Sequence, residues 1–364
     1  MKINSIQLLR FCAASLVLVA HLKFDLEVVY GQLVLPRVLQ GAAGAVGVDI
    51  FFVISGFIIC YTVSHGNLSA GAFFRHRFFR IVPVYYLYTL PLLILAILHR
   101  QLTANALVNS FLFLPLLDTE RFTSPLHMYG WTLCFEVWFY AVFGLLLIWI
   151  RRPSVPGVVP AIFISAGAIG MLLPSSGWFF IRFVLNPMCV EFALGCVAFL
   201  IFDKARRSVA VGWIGALLAV SGMMLLLSLA VEHEELGWHM NMLASKQMGM
   251  QRLLFWGLPS GMLILGCVLF ERAVPLSRLS SLAYLGDISY SLYLVQPFAV
   301  IAAARFKTVL VHMHPVFFSL LVAGACIATA AVSYELLEKR AVRRLKRLFD
   351  RPHNPRAIEV GSAI

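Results

Sequence analysis

The stretch LLRFCAASLVLVAHL at residues 8–22 carries no ionisable side chain except Arg10, Cys12 and His21, and only Ser15 besides is polar. A surface helix of a soluble protein keeps a polar face for water, so a run apolar all round belongs in a buried core or in lipid. The composition around it decides between the two. Of 364 residues, 61% are hydrophobic and 13% charged, whereas soluble chains average about 45–50% apolar and about 25% charged. One water-soluble core cannot absorb that excess. The chain reads as a membrane protein, which excludes a soluble enzyme, a disordered tail and a secreted disulfide scaffold.

Crossing roughly 30 Å of hydrocarbon takes about 20 mostly apolar residues. Ten segments qualify: 7–24, 44–63, 81–99, 129–150, 157–173, 179–201, 209–231, 253–271, 282–304 and 316–337. The run 108–117 is apolar but too short to span, so a re-entrant or interfacial helix is expected there. Lys2 and Arg10 ahead of the first apolar run imitate a signal peptide. No small-residue cleavage site follows, so this segment is expected to be a retained helix. The expected fold is an all-α, polytopic transmembrane bundle of about ten helices. Seven cysteines lie in or at the ends of apolar runs, none in a CxxC, so neither disulfides nor a metal site is expected.

The positive-inside rule orients the bundle. With the N-terminus in the cytoplasm, 20 of the 29 Lys and Arg residues fall inside: Lys2 and Arg10, those in the loops around 75–80, 151–152, 204–207 and 272–278, and those from Lys339 onward. Both termini are therefore expected to be cytoplasmic. The chain divides into one membrane domain over 1–340 and a basic cytoplasmic tail over 341–364. The net charge of +12 is then mostly topology and contact with lipid headgroups, with no nucleic-acid partner implied. Phosphate-loop, zinc-protease and dinucleotide motifs have no usable context here.

An ionisable side chain costs at least about 2.5–3.5 kcal/mol at the bilayer centre, so each one in a helix is a functional candidate. Arg10 and His21 are three helical turns apart on one face, roughly 16 Å along the axis. GVDIFFVISGF at 47–57 enters from outside and carries Asp49 and Ser55. MYGWTLCFEVWFY at 128–140 also enters from outside and carries Trp131, Glu136 and Tyr140. GDISYSLYLVQPF at 286–298 runs outward with Tyr290, Tyr293 and Gln296. Counting helical rise from the segment ends puts His21, Asp49, Glu136 and Gln296 in one layer near the outer side, a set suited to proton transfer. At the inner side, Arg75, Arg77 and Arg80 join Arg10 in a basic mouth whose guanidinium forks suit phosphate oxygens. These residues by themselves leave a polysaccharide or solute transporter open as an alternative.

Together the segments resemble the integral-membrane acyltransferase family 3, and within it the bacterial exopolysaccharide O-acetyltransferases. The likeness runs over about 1–340 and rests on Arg10 with His21, GVDIFFVISGF, RFFR at 77–80, GWTLCFEVWFY, ISYSLYLVQPF and SYELLEKR at 333–340. Many members read YLWH where this chain reads YLVQ, so Gln296 stands in place of a histidine. Arg340 replaces a common proline. The resemblance implies a multi-pass protein of the bacterial inner membrane with acetyl-CoA as cytoplasmic donor. The donor phosphates would be gripped by Arg10, Arg75, Arg77 and Arg80. Its acceptor would be a hydroxyl on a polysaccharide or lipid-linked saccharide. His21 would serve as general base or acyl carrier, with Asp49 or Glu136 orienting it. Ser55, Trp131, Tyr140, Tyr290, Tyr293 and Gln296 are the expected cavity residues.

Overall fold

The computed structural model describes residues 3–31, 42–66, 68–174, 176–237, 245–276 and 281–340. Ten helices among them are long and apolar enough to cross a membrane. They are α1 (Asn4–Tyr30), α2 (Ala42–His65), α3 (Ala70–Leu98), α5 (Gly130–Trp149), α6 (Arg152–Leu172), α7 (Phe179–Lys204), α8 (Val209–Glu232), α9 (Lys246–Ala273), α10 (Ala283–Arg305) and α11 (Pro315–Glu338). A short helix, α4 (Ala104–Phe111), lies between α3 and α5. No strand occurs among the described residues. In hydrocarbon a helix satisfies its own backbone, which is why apolar runs of this length take no other form. The tail 341–364 lies outside the described residues.

Helix α3 starts at Ala70, well before the apolar run at 81–99, because the basic stretch RHRFFR continues the same helix from an N-cap at Ser69. The arginines therefore sit on a spanning helix and not on a loop. Two prolines inside it, Pro83 and Pro91, are tolerated as they often are in membrane helices.

Helix α1 is the axis of the site. Its start is tied down by Glu271 of α9, whose carboxylate accepts from the Asn4 and Ser5 backbone N–H groups, each at 2.8 Å, and from the Ser5 hydroxyl. That supplies acceptors to first-turn donors the helix cannot pair itself. Helix α2 lies antiparallel against α1 at backbone distance. A Cβ built on Gly47 would stand 2.3 Å from the Ala13 carbonyl oxygen. Helix α10 runs parallel to α1 on its other side, so that Gly286 meets Gln7 and the Gln296 amide reaches the Ala14 carbonyl. Such close approaches through small residues are the usual packing device within lipid.

The irregular segment after α4 is what positions the rest. Phe113, Asp118 and His127 of this segment are buried while residues 119–121 are exposed, and where it is buried side chains satisfy its backbone. Asp118 accepts from the side chains of Asn105 and Asn109 and from the Thr123 N–H, while Ser110 accepts from the Leu126 N–H. Its end reaches α10, where His127 Nε2 lies 2.9 Å from the Leu294 carbonyl oxygen. Burial pushes the His127 imidazole down to about 4, so Nε2 carries the donated proton at neutral pH. As a result α5 begins next to His21, nine residues short of where α1 ends. A re-entrant or interfacial helix is expected over 108–117; the helix found there is Ala104–Phe111, and 112–117 is non-helical.

Candidate functional site: an arginine cavity and a histidine chamber

A cavity, about 740 Å³ with the open solvent at its mouth included, lies between α1, α2, α3, α5 and α10. Its basic wall is Arg10, Arg77 and Arg80. Arg77 is buried, with its guanidinium 5.6 Å from the Phe73 ring and 5.5 Å from the Tyr140 ring. Arg10 is also buried and donates to the Gln7 side chain at 3.2 Å. Facing them, Glu136 accepts from Ser55 at 2.9 Å and from Tyr140. Glu338 at the end of α11 is close enough for its charge to act on Arg10 and Arg80, and it accepts from Ser291. Tyr290 donates to the Ile81 carbonyl at 3.0 Å and so ties α10 to α3. Tyr293 and Thr132 close the far end, their hydroxyls 3.0 Å apart.

His21 does not line this cavity. Its Nδ1 is 2.9 Å from Gln296 Oε1, and the Gln296 amide nitrogen donates to the Ala14 carbonyl. That second bond orients the amide, makes Oε1 the acceptor and puts the imidazole proton on Nδ1. Nε2 is left with the lone pair, the form a base or nucleophile needs. The ring stacks on Tyr129 at 4.1 Å. Tyr129 is in turn 5.6 Å from Tyr293, and Tyr293 is 6.3 Å from Phe51. A layer of aromatic rings therefore separates the cavity from the imidazole.

The expected single layer of His21, Asp49, Glu136 and Gln296 is split. Only Gln296 joins His21. Glu136 sits lower, among the arginines, because α5 starts at the depth of His21 and seven residues of helix then descend about 10 Å. Asp49 is fully buried and held in a two-pronged ion pair by Arg252 of α9, Nε to Oδ1 and a terminal nitrogen to Oδ2, each at 2.9 Å. The Arg252 guanidinium also lies 4.8 Å from the Trp256 ring and 5.8 Å from the Trp131 ring. Trp131 thus belongs to this ion pair and not to the cavity. Neither Asp49 nor Glu136 orients the histidine. Arg75 is exposed and outside the cavity wall. Ser55, Tyr140, Tyr290 and Tyr293 all line it as expected.

Reading the sequence by helix passed over Tyr129, Arg252, Glu191 and Glu338. Glu191 is fully buried beside the Asp49–Arg252 pair, and neither of its oxygens has a hydrogen-bond partner among the described residues. Arg252 stands one residue before an apolar segment and reads as an outer-loop charge. The local π-helical turn at Leu253–Gly257, a form often found at functional sites, has no sequence signature.

Residues 3–334 match a family described as an acyltransferase domain. The exopolysaccharide production protein ExoZ of Rhizobium meliloti (strain 1021) is 30% identical over 310 residues, which cover 83% of this chain and 90% of that protein. No solved structure matches.

Proposed function

This chain belongs to acyltransferase family 3, and on that premise we propose that it moves a short acyl group, acetyl above all, from acyl-coenzyme A to a saccharide hydroxyl in exopolysaccharide production. The membrane in question is the bacterial inner membrane, and the acceptor is a polysaccharide or its lipid-linked precursor. Family membership favours acyl transfer over solute transport.

One observation carries the donor assignment. Three arginines converge on a cavity whose own lining supplies a single carboxylate, Glu136. Cations inside a membrane bundle are costly unless an anion joins them, and the phosphates of coenzyme A would supply it through charge-assisted bonds. The narrow arm carrying the thioester would extend from Arg10, Arg77 and Arg80 toward Tyr293. Swinging the Tyr293 ring aside would bring the carbonyl carbon to His21.

At that point Nε2 takes the proton of the acceptor hydroxyl as its oxygen bonds to the thioester carbonyl carbon. The C–S bond then breaks and the proton passes to the departing thiolate sulfur. In the relay form of the same scheme, Nε2 attacks the thioester carbonyl carbon, the C–S bond breaks and the Nδ1 proton passes to the departing sulfur; the hydroxyl then attacks acyl-His21 and its proton returns to the imidazole. Release of one equivalent of coenzyme A without acceptor distinguishes the relay from direct transfer. Purified protein in detergent is expected to convert acetyl-CoA and de-esterified exopolysaccharide oligosaccharide to an O-acetyl ester, seen by mass spectrometry. His21→Ala is expected to lower that rate at least about 1000-fold; ester formation near the wild-type rate in His21→Ala removes His21 from the mechanism.

A further inference from the structure

Past His21 the sequence continues His-Leu-Lys-Phe-Asp, which puts Asp25 one helical turn farther along the same face. Its side chain is only 1% exposed, and Oδ1 has no hydrogen-bond partner among the described residues. Lys23 pairs instead with Glu27, at 3.8 Å. Tyr129, stacked on His21, lies close enough to Asp25 for the carboxylate's charge to act on it, and its buried hydroxyl is also unpartnered. The Tyr129 backbone carbonyl, by contrast, accepts from both Tyr293 and Thr132. The ring is anchored through its backbone while its hydroxyl is left unused.

Buried polar atoms are nearly always hydrogen-bonded, and each one left bare costs about 1–3 kcal/mol. Here an unpaired phenol on the ring stacked against His21 and an unpaired carboxylate oxygen one helical turn beyond it lie near each other. The arginine cavity lies on the other side of the Tyr129–Tyr293 layer. A carboxylate repels phosphate, so this flank is unsuited to the donor. It suits a neutral group that brings its own O–H donors.

We infer that Asp25 and Tyr129 form the acceptor subsite, binding the hydroxyl adjacent to the one acylated on a saccharide with vicinal hydroxyls. Asp25 accepts from that neighbouring hydroxyl and Tyr129 bridges to it, which sets the reacting oxygen over His21 Nε2. The proton and acyl group then move as described above. The inference rests on the proposed acyl transfer and adds the determinants of which hydroxyl is chosen.

The test uses full-length protein in detergent, acetyl-CoA, and oligosaccharides released from base-de-esterified exopolysaccharide. Asp25→Asn and Tyr129→Phe are each expected to raise the KM for oligosaccharide at least about tenfold while the KM for acetyl-CoA stays within about twofold. Asp25→Glu is expected to recover part of the loss. An unchanged oligosaccharide KM in both Asp25→Asn and Tyr129→Phe overturns the subsite, as does a parallel rise in the KM for acetyl-CoA. Should one variant fail to fold, the other decides. Wild-type protein that binds coenzyme A yet acylates no oligosaccharide overturns the function itself, an outcome distinct from a failed subsite in an active enzyme.

Discussion

Arg10 and His21 stand on one face of α1, yet the two ends of that face are built differently. Around Arg10 there is open volume, and the wall's Glu136 is paired with Ser55 and Tyr140 and its Tyr290 with the Ile81 carbonyl, while Glu338 nearby accepts from Ser291. Around His21 the rings close together, and Asp25 and Tyr129 keep bare polar atoms. The first region is a standing open volume walled by Arg10, Arg77 and Arg80. The second holds polar atoms without partners among the described residues, which the proposed acceptor would supply. A transferase with a charged donor and a neutral hydroxylic acceptor needs that asymmetry, because the two substrates must reach one imidazole from opposite sides without exchanging places.

The asymmetry is breakable from either end. The largest effect is expected from Arg77→Gln with Arg80→Gln, which removes two of the three guanidiniums. Coenzyme A affinity, measured by calorimetry, is expected to fall at least about 100-fold; an affinity unchanged by the double substitution means the cavity is not the donor site. A smaller effect is expected from Tyr293→Phe, which keeps the ring but removes the hydroxyl that meets Thr132 and the Tyr129 carbonyl. Turnover is expected to drop about tenfold with coenzyme A affinity held. A change in affinity instead would place Tyr293 in donor binding and blur the boundary between the two regions.

The smallest effect concerns the segment that sets the depth of α5. His127 is held near 4 in the folded protein by burial, against about 6.5 when unfolded. The unfolded chain therefore binds the extra proton first. This contribution to stability is present above about pH 6.5 and is lost as pH falls toward 4. Between pH 7 and 4.5 the thermal midpoint of the wild-type protein is expected to fall a few degrees more than that of His127→Gln. Equal falls would mean that His127 is not held neutral.

Much of this was legible in the residues before any coordinates. Ten apolar runs became ten spanning helices, and the charges inside them picked out Arg10, Arg77, Arg80 and Glu136, which meet in one cavity. What sequence did not disclose was depth. Helical rise counted from apolar boundaries assumes each helix begins at the membrane surface, but α5 begins beside His21 because the segment after α4 dips into the bundle. That one displacement moved Glu136 from the expected histidine layer to the arginines. The pairing of Asp49 with Arg252 was equally hidden, since it joins residues 203 apart and nothing local announces it. Gln296 was legible as a departure from a histidine. Its use, as the group that holds the His21 proton on Nδ1, emerged only with the Ala14 contact.

We propose that donor binding and acyl transfer reside in separate regions joined along α1. The most direct test of this is coenzyme A affinity measured on purified His21→Ala beside the wild-type protein, with transfer assayed on the same samples. The account predicts equal affinity within about twofold while transfer is lost. A loss of coenzyme A affinity in step with the loss of transfer would contradict it.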